Sequence, residues 1–432
     1  MRKSIKNIVF FVLTFFFILS VCSRFCYAGD SLTWRDCVRE ARKNHPDVIS
    51  AKEQVRQARA DEYIAVSAFL PHVTSDAQAK RSKTAAQTLE TNTYSYGLSG
   101  QQLVFDGFKT AADVGNSSKT VSAEQYNHAV ISSNVRLNLR VAFVSLLRGQ
   151  DLITLTESIA ERRKQNMEMV WLRYEAGREH KGSLLTAEAD TAQAEYEVAQ
   201  AKRNLSLVQR ELSKELGRLK AGPIKAEGNF NIDEASQTKQ DFEYLAENVP
   251  FLRELIAKKD AARLNYASAQ SNFFPEVYLN TSYSDTASES DWPPVESNKA
   301  WSASLSVSLP IFEGGERFSQ AKKARSQWKQ AQADERSGRD SVLVTLEKTW
   351  KDLQDAVAYV SVQKMFLEAA NERAKIAGAQ YESGLISFDD WIIIENSLVT
   401  YKKSHLNAQA DMLDTEARWI QAKGGTLEYD KE

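Results

Sequence analysis

The side chains able to do chemistry are few and dispersed. His45, His72, His128, His180 and His405 are scattered, with no spacing that would gather imidazoles on one metal ion. No glycine-rich phosphate loop, HExxH helix or nucleophile elbow occurs. Asp389 and Asp390 are a close carboxylate pair, the residue type that acid–base catalysis uses, but adjacent acids ordinarily mark a solvated turn. No enzyme activity, cofactor or metal site is expected. A more informative constellation is a pair of similar stretches, Arg173-Tyr174-Glu175-Ala176-Gly177 and Gln380-Tyr381-Glu382-Ser383-Gly384. Gly177 and Gly384 suit the left-handed position that ends a helix.

Long helices must position these turns. No proline falls between Gly107 and Tyr174, or between Gly315 and Tyr381. Val135, Leu139, Ala142 and Leu146 recur at heptad-like spacing, as do Val342, Leu346, Leu353, Val357, Val360 and Leu367, which predicts helices packed along their length. At 1.5 Å per residue, arms of about 65 residues are roughly 100 Å long. Return helices are expected over Leu184–Leu216 and Trp391–Ala422. Alanines at 187, 189, 192, 194, 199 and 201 let the first of them approach its neighbours closely. An ordinary coiled coil would explain these seams taken alone.

Four stretches have the other period. Trp301, Ala303, Leu305, Val307 and Leu309 alternate with Ser302, Ser304, Ser306 and Ser308 in a strand expected from Trp301 to Phe312. Val73 to Lys80, Tyr94 to Phe105 and Val277 to Ser284 alternate similarly. Strands of about ten residues with one apolar and one polar face are the signature of transmembrane β-barrels, in which Trp301, Leu305 and Val307 would face lipid. Four strands are too few to close a barrel, since about eight is the practical minimum, so several chains must pool them.

The chain also repeats itself. Asn44-His45-Pro46 pairs with Asn248-Val249-Pro250 at an offset of 204; Tyr174/Tyr381, Gly177/Gly384 and Glu188/Glu395 pair at 207. The expected organisation is a first repeat over 29–220 with a hairpin at 71–105, a linker over 221–240, a second repeat over 241–427 with a hairpin at 275–312, and a tail at 428–432. Before it, residues 1–28 read as a signal peptide: Arg2, Lys3 and Lys6, then an apolar run from Ile8 to Val21, ending at Ala28. Cys22 fits a lipoprotein cut site poorly, because valine precedes it. Removing the leader leaves 51 basic against 57 acidic side chains and only Cys37, so export without disulfides and no nucleic-acid partner are expected. No segment of the mature chain is expected to be a membrane-spanning helix.

With its Tyr-x-x-Gly turns, duplicated strand–helix order and the strand exits Phe105-Asp106-Gly107 and Phe312-Glu313-Gly314, the chain resembles the TolC family of bacterial outer-membrane efflux ducts. The resemblance covers about 29–427. It implies a mainly α-helical homotrimer with a transmembrane β-barrel of twelve strands, four from each chain, continuous with a long α-helical barrel in the periplasm. It implies location in the outer membrane of a Gram-negative bacterium, and passive export by a tripartite efflux or type I secretion system. The implied partners are a periplasmic adaptor (membrane fusion) protein and an inner-membrane RND, ABC or MFS transporter. The turns at Tyr174, Gly177, Tyr381 and Gly384 would meet the adaptor, and Asp390 would ring the periplasmic gate. Ile393 stands where some members carry a second acid; Asp389 substitutes only if the helix phase differs. The competing reading is a soluble periplasmic coiled-coil scaffold or adaptor.

Overall fold

The computed structural model describes residues 30–83, 91–220, 222–231, 241–288 and 298–428. The leader, both hairpin tips with Trp292-Pro293-Pro294, part of the linker and residues 429–432 lie outside the described residues. In order, the elements are β1 (Asp30–Thr33), α1 (Trp34–Asn44), α2 (Pro46–Ser67), β2 (His72–Ser82), β3 (Thr91–Phe105), α3 (Lys109–Glu175), α4 (Lys181–Glu215), β4 (Ile224–Glu227), α5 (Phe242–Asn248), α6 (Pro250–Ser271), β5 (Glu276–Ser288), β6 (Asn298–Ser308), α7 (Glu316–Glu382) and α8 (Phe388–Ala422).

The duplication is visible element by element. Helices α2 and α6 are each 22 residues and start 204 apart, at Pro46 and Pro250. Helices α3 and α7 are each 67 residues and start 207 apart, at Lys109 and Glu316. Helices α4 and α8 are each 35 residues, at the same offset of 207. Proline opens α2 and α6, where its missing amide costs no hydrogen bond. At α2 the ring of His45 caps the end, its Nδ1 accepting from the Asp47 amide at 3.2 Å, so this histidine has a structural task.

The chain divides into two compact units. One comprises Val38–Val141, Asn231–Phe366 and the chain from Ala408 onward. It holds one antiparallel sheet in the order β2-β3-β5-β6, so the two hairpins join through β3 and β5. Trp301 faces Tyr283, Leu305 faces Leu279 and Val307 faces Val277 across the β5–β6 ladder, giving one apolar face. The opposite face is a ladder of hydroxyls and amides: Ser302 to Ser282 at 2.9 Å, Asn280 to Ser306 at 3.0 Å, Gln101 to Asn280 at 3.0 Å and Thr74 to Ser99 at 2.6 Å. Strand β6 ends at Ser308, short of the Phe312 expected from alternation. Pro310 lacks the amide a ladder needs, so the pairing cannot continue through it. In the same unit, Val342, Leu346, Trp350 and Leu353 of α7 pack with Trp419 and Ala422 of α8. The Trp350 and Trp419 rings lie 5.3 Å apart.

The other unit comprises the chain up to Cys37, Ala142–Phe230 and Leu367–Asn407. Here β1 pairs with β4 in parallel, so the stretch expected only to link the repeats contributes a strand. Ala187, Ala194 and Ala201, seven apart on α4, are all buried, as a close-packed seam requires. Contrary to expectation, α3 contains a stretch apolar and long enough to cross a membrane by composition. The seam residues Val135, Leu139, Ala142 and Leu146 of this helix are instead buried in protein.

Candidate gate at the helix–helix turns

Both turns close by the same backbone device. Gly177 has φ of +67° and Gly384 +78°, a region that costs residues with a Cβ about 1–2 kcal/mol. The Gly177 amide donates to the Tyr174 carbonyl at 2.9 Å and the Arg178 amide to that of Arg173 at 2.8 Å. The second turn repeats both bonds, Gly384 to Tyr381 at 3.0 Å and Leu385 to Gln380 at 2.8 Å. This double bond at a left-handed glycine is the Schellman arrangement.

The side chains around the two turns differ. Tyr174 is half-buried, whereas Tyr381 is fully buried and stacked on Trp391, with ring centroids 4.3 Å apart and planes within 8°. Phe388 meets both rings edge-on. Arg173, from the last turn of α3, lies 4.6 Å from the Tyr381 ring centroid and donates to the Tyr381 carbonyl at 2.7 Å. A cation there also complements the negative end of α7. The Tyr381 hydroxyl donates to Glu179 Oε2 at 2.9 Å, across 202 residues of sequence. Glu179 Oε1 in turn accepts from the Ser183 hydroxyl at 2.9 Å and the His180 amide at 3.2 Å.

The electrostatics follow from these contacts. Partial burial raises the Glu179 pKa, but the bonds from Tyr381, Ser183 and the His180 amide outweigh it and leave the carboxyl below its ordinary range. For Tyr381, burial first and then the bond to Glu179 push the phenol upward, against the charge of Arg173. At neutral pH the phenol is therefore a donor and the carboxylate an acceptor. The carboxylate's contribution is present above its unfolded pKa and fades as pH falls through the depressed one. The phenol's is present below its unfolded pKa and fades as pH rises through the raised one.

Asp390 is exposed, as is Asp389. The Ser387 hydroxyl donates to Asp390 Oδ2 at 2.7 Å and accepts from the Asp390 amide at 3.1 Å, a pairing that caps α8. Further along α8, Glu395 is only 1% exposed. Arg162 Nε and Nη2 grip its two oxygens at 2.7 and 2.6 Å, and Asn166 adds a bond at 3.2 Å. Arg163 donates to Asn396, and Lys403 reaches Glu197 on α4 at 2.6 Å. Burial and the charge of Arg162 hold the Lys402 ammonium below its ordinary pKa. On the sheet, Trp301 is 80% exposed, and Leu305 and Val307 are exposed on the same face.

The structure thus brings Tyr381 together with Arg173 and Glu179, neither of which was singled out from the sequence. It leaves Asp389, Asp390, Gly177 and Gly384 exposed at the turns. The acid Glu395 stood out as the repeat-mate of Glu188, but its partner Arg162 lies 233 residues away and has no local signature.

The sequence model of the family described as "Outer membrane efflux protein" matches residues 37–218 and 243–425, one segment for each repeat. The chain belongs to the outer membrane efflux protein family. Among its relatives is the outer membrane efflux protein BepC of Brucella suis, 23% identical over 92% of this chain and 86% of that protein. TolC of Escherichia coli is 22% identical over 90% of this chain and 80% of that protein. Of solved structures, VceC from Vibrio cholerae superposes with a TM-score of 0.80 at 19% identity, covering 91% of this chain and 97% of VceC. The fold is that of the TolC-like outer membrane channels. This efflux protein is accordingly an outer-membrane protein of a family of channels.

Proposed function

We propose that three copies of this efflux protein form one passive exit duct, a twelve-stranded barrel of four strands per chain, serving a tripartite efflux or type I secretion system. The observation that carries the reading is the sheet's two bare edges. Among the described residues β2 and β6 each pair on one side only, and every edge amide left unpaired in hydrocarbon costs several kcal/mol. Edge pairing between copies removes that cost. The face bearing Trp301, Leu305 and Val307 then meets lipid, and the hydroxyl ladder wets the lumen. A soluble scaffold would leave both the edges and this face bare in water.

At the turns, the Tyr381–Glu179 bond and the Arg173 contacts tie the α7–α8 pair to the α3–α4 pair. They act as a latch holding the mouth narrow. Asp390, with Asp389 beside it, places negative charge at that mouth and favours cations, as charged rings do in pores. A periplasmic adaptor docking on the turns at Tyr174, Gly177, Tyr381 and Gly384 loosens the latch, and an inner-membrane transporter of the RND, ABC or MFS class supplies the energy. The duct itself performs no catalysis and uses no cofactor.

Fractionation tests the reading. The protein is expected in the outer membrane, released only by detergent, as a trimer whose migration on gels changes on boiling. A monomer soluble in buffer contradicts it. Gly384→Pro is expected to insert normally and abolish export; normal export in that variant removes the second turn from docking and opening.

A further inference from the structure

Glu188 and Glu395 occupy the same position in the two repeats but have opposite surroundings. Glu395 on α8 is buried against α3 by Arg162 and Asn166. Glu188 on α4 is exposed. The repeat carries α3 onto α7 and α4 onto α8 at an offset of 207. Applied once more, the α8–α3 contact inside a chain becomes a contact between α4 of one chain and α7 of the next. In it, Asn166 is replaced by Arg373 and Arg162 by Ala369. Arg373 is exposed on α7, as is Ala369 one turn before it, while Ala370, Ala374 and Ala377 between and beyond them are buried against their own chain, so the helix presents the guanidinium side and not its alanine seam to solvent.

We propose that Glu188 of one copy and Arg373 of the next form an inter-subunit ion pair, the counterpart between chains of the Glu395 clamp within one. The occupant of the α7 face is a second copy of this chain, a claim that rests on the trimeric reading above. Two apolar positions support it independently. Ile376 on α7 is 57% exposed, while its repeat-mate Met169 packs against the core of its unit. Leu185 on α4 is 52% exposed, while its repeat-mate Ile392 packs against that same core. Both exposed members lie on the helices that the repeat brings together between copies. The charge has also moved: the cation sits on α3 within a chain and on α7 between chains, four residues on from the Arg162 position. The arrangement therefore distinguishes the two kinds of interface around the ring, which favours one register of assembly.

The test uses the full-length protein in detergent. Glu188→Arg and Arg373→Glu are each expected to raise the fraction of monomer about tenfold at a temperature where the wild-type trimer begins to dissociate, and the double reversal to restore the trimer. Glu188→Cys combined with Arg373→Cys and a short bismaleimide is expected to give covalent species of up to three chains. A stable wild-type trimer whose single reversals change nothing, whose double reversal restores nothing, or whose cysteines cross-link only within one chain overturns the ion pair while leaving the trimer standing. A wild type that is monomeric under the same conditions overturns the trimeric reading as well.

Discussion

The two helix–helix turns share a backbone and differ in everything attached to it. Both end at a glycine with positive φ and both make the same pair of closing bonds. The first begins its return helix with His180, whose ring accepts from the Ser183 amide at 3.2 Å. The second uses Ser387 and Asp390, and surrounds Tyr381 with Trp391, Phe388 and Arg173. The position of Trp391 is held by Leu184 in the first repeat, and that of Glu179 by Ile386 in the second. The duplicated scaffold has thus kept its architecture while one turn acquired the contacts of a clasp. The clasp is asymmetric by construction, since its acid comes from the first turn and its phenol from the second.

Substitutions made in pairs at repeat-mates separate the shared scaffold from the acquired contacts. The largest difference is expected for Glu395→Ala against Glu188→Ala. Removing the buried acid leaves Arg162 without its partner, at a cost on the order of 3 kcal/mol, read as a lower denaturation midpoint of the detergent-solubilised chain. Glu188→Ala is expected to leave chain folding within about 0.5 kcal/mol and to act on assembly alone. Gly177→Ala and Gly384→Ala should each cost about 1–2 kcal/mol, and equally, because the backbone device is common to both turns. Next, Tyr381→Phe is expected to cost about 1 kcal/mol through the lost bond to Glu179, while Tyr174→Phe has no measurable effect on stability. Asp390→Ala is expected to cost only about 0.5–1 kcal/mol, from the lost bond to Ser387 at the start of α8. That variant should nonetheless weaken cation preference in bilayer recordings, and unchanged selectivity would remove Asp390 from the gate.

Much of this was legible because it is written in periods. The seams at Val135–Leu146 and Val342–Leu353 show as heptads, and the sheet shows as alternation of serine with apolar residues. Proline at 46 and 250 and glycine at 177 and 384 mark element ends for steric reasons that hold in any fold. What escaped was long-range or short. Strands β1 and β4 have four residues each, too few for a period, and pair across nearly the whole first repeat. Arg173 and Glu179 read as ordinary charges in a helix end and a turn; only the packing of Tyr381 between the two turns makes them partners. Asp390 carries an exposed charge, and its bonds to Ser387 add a structural task that the Ser-x-x-Asp spacing permits.

In a trimeric duct held narrow by the bond between Tyr381 and Glu179, that bond should limit the flow of ions. Single-channel conductance of the reconstituted trimer, wild type against Tyr381→Phe, tests it most directly. A larger conductance in the variant, reproduced by Glu179→Gln and not increased further when the two are combined, is the predicted result. Equal conductance in all four proteins would contradict the claim.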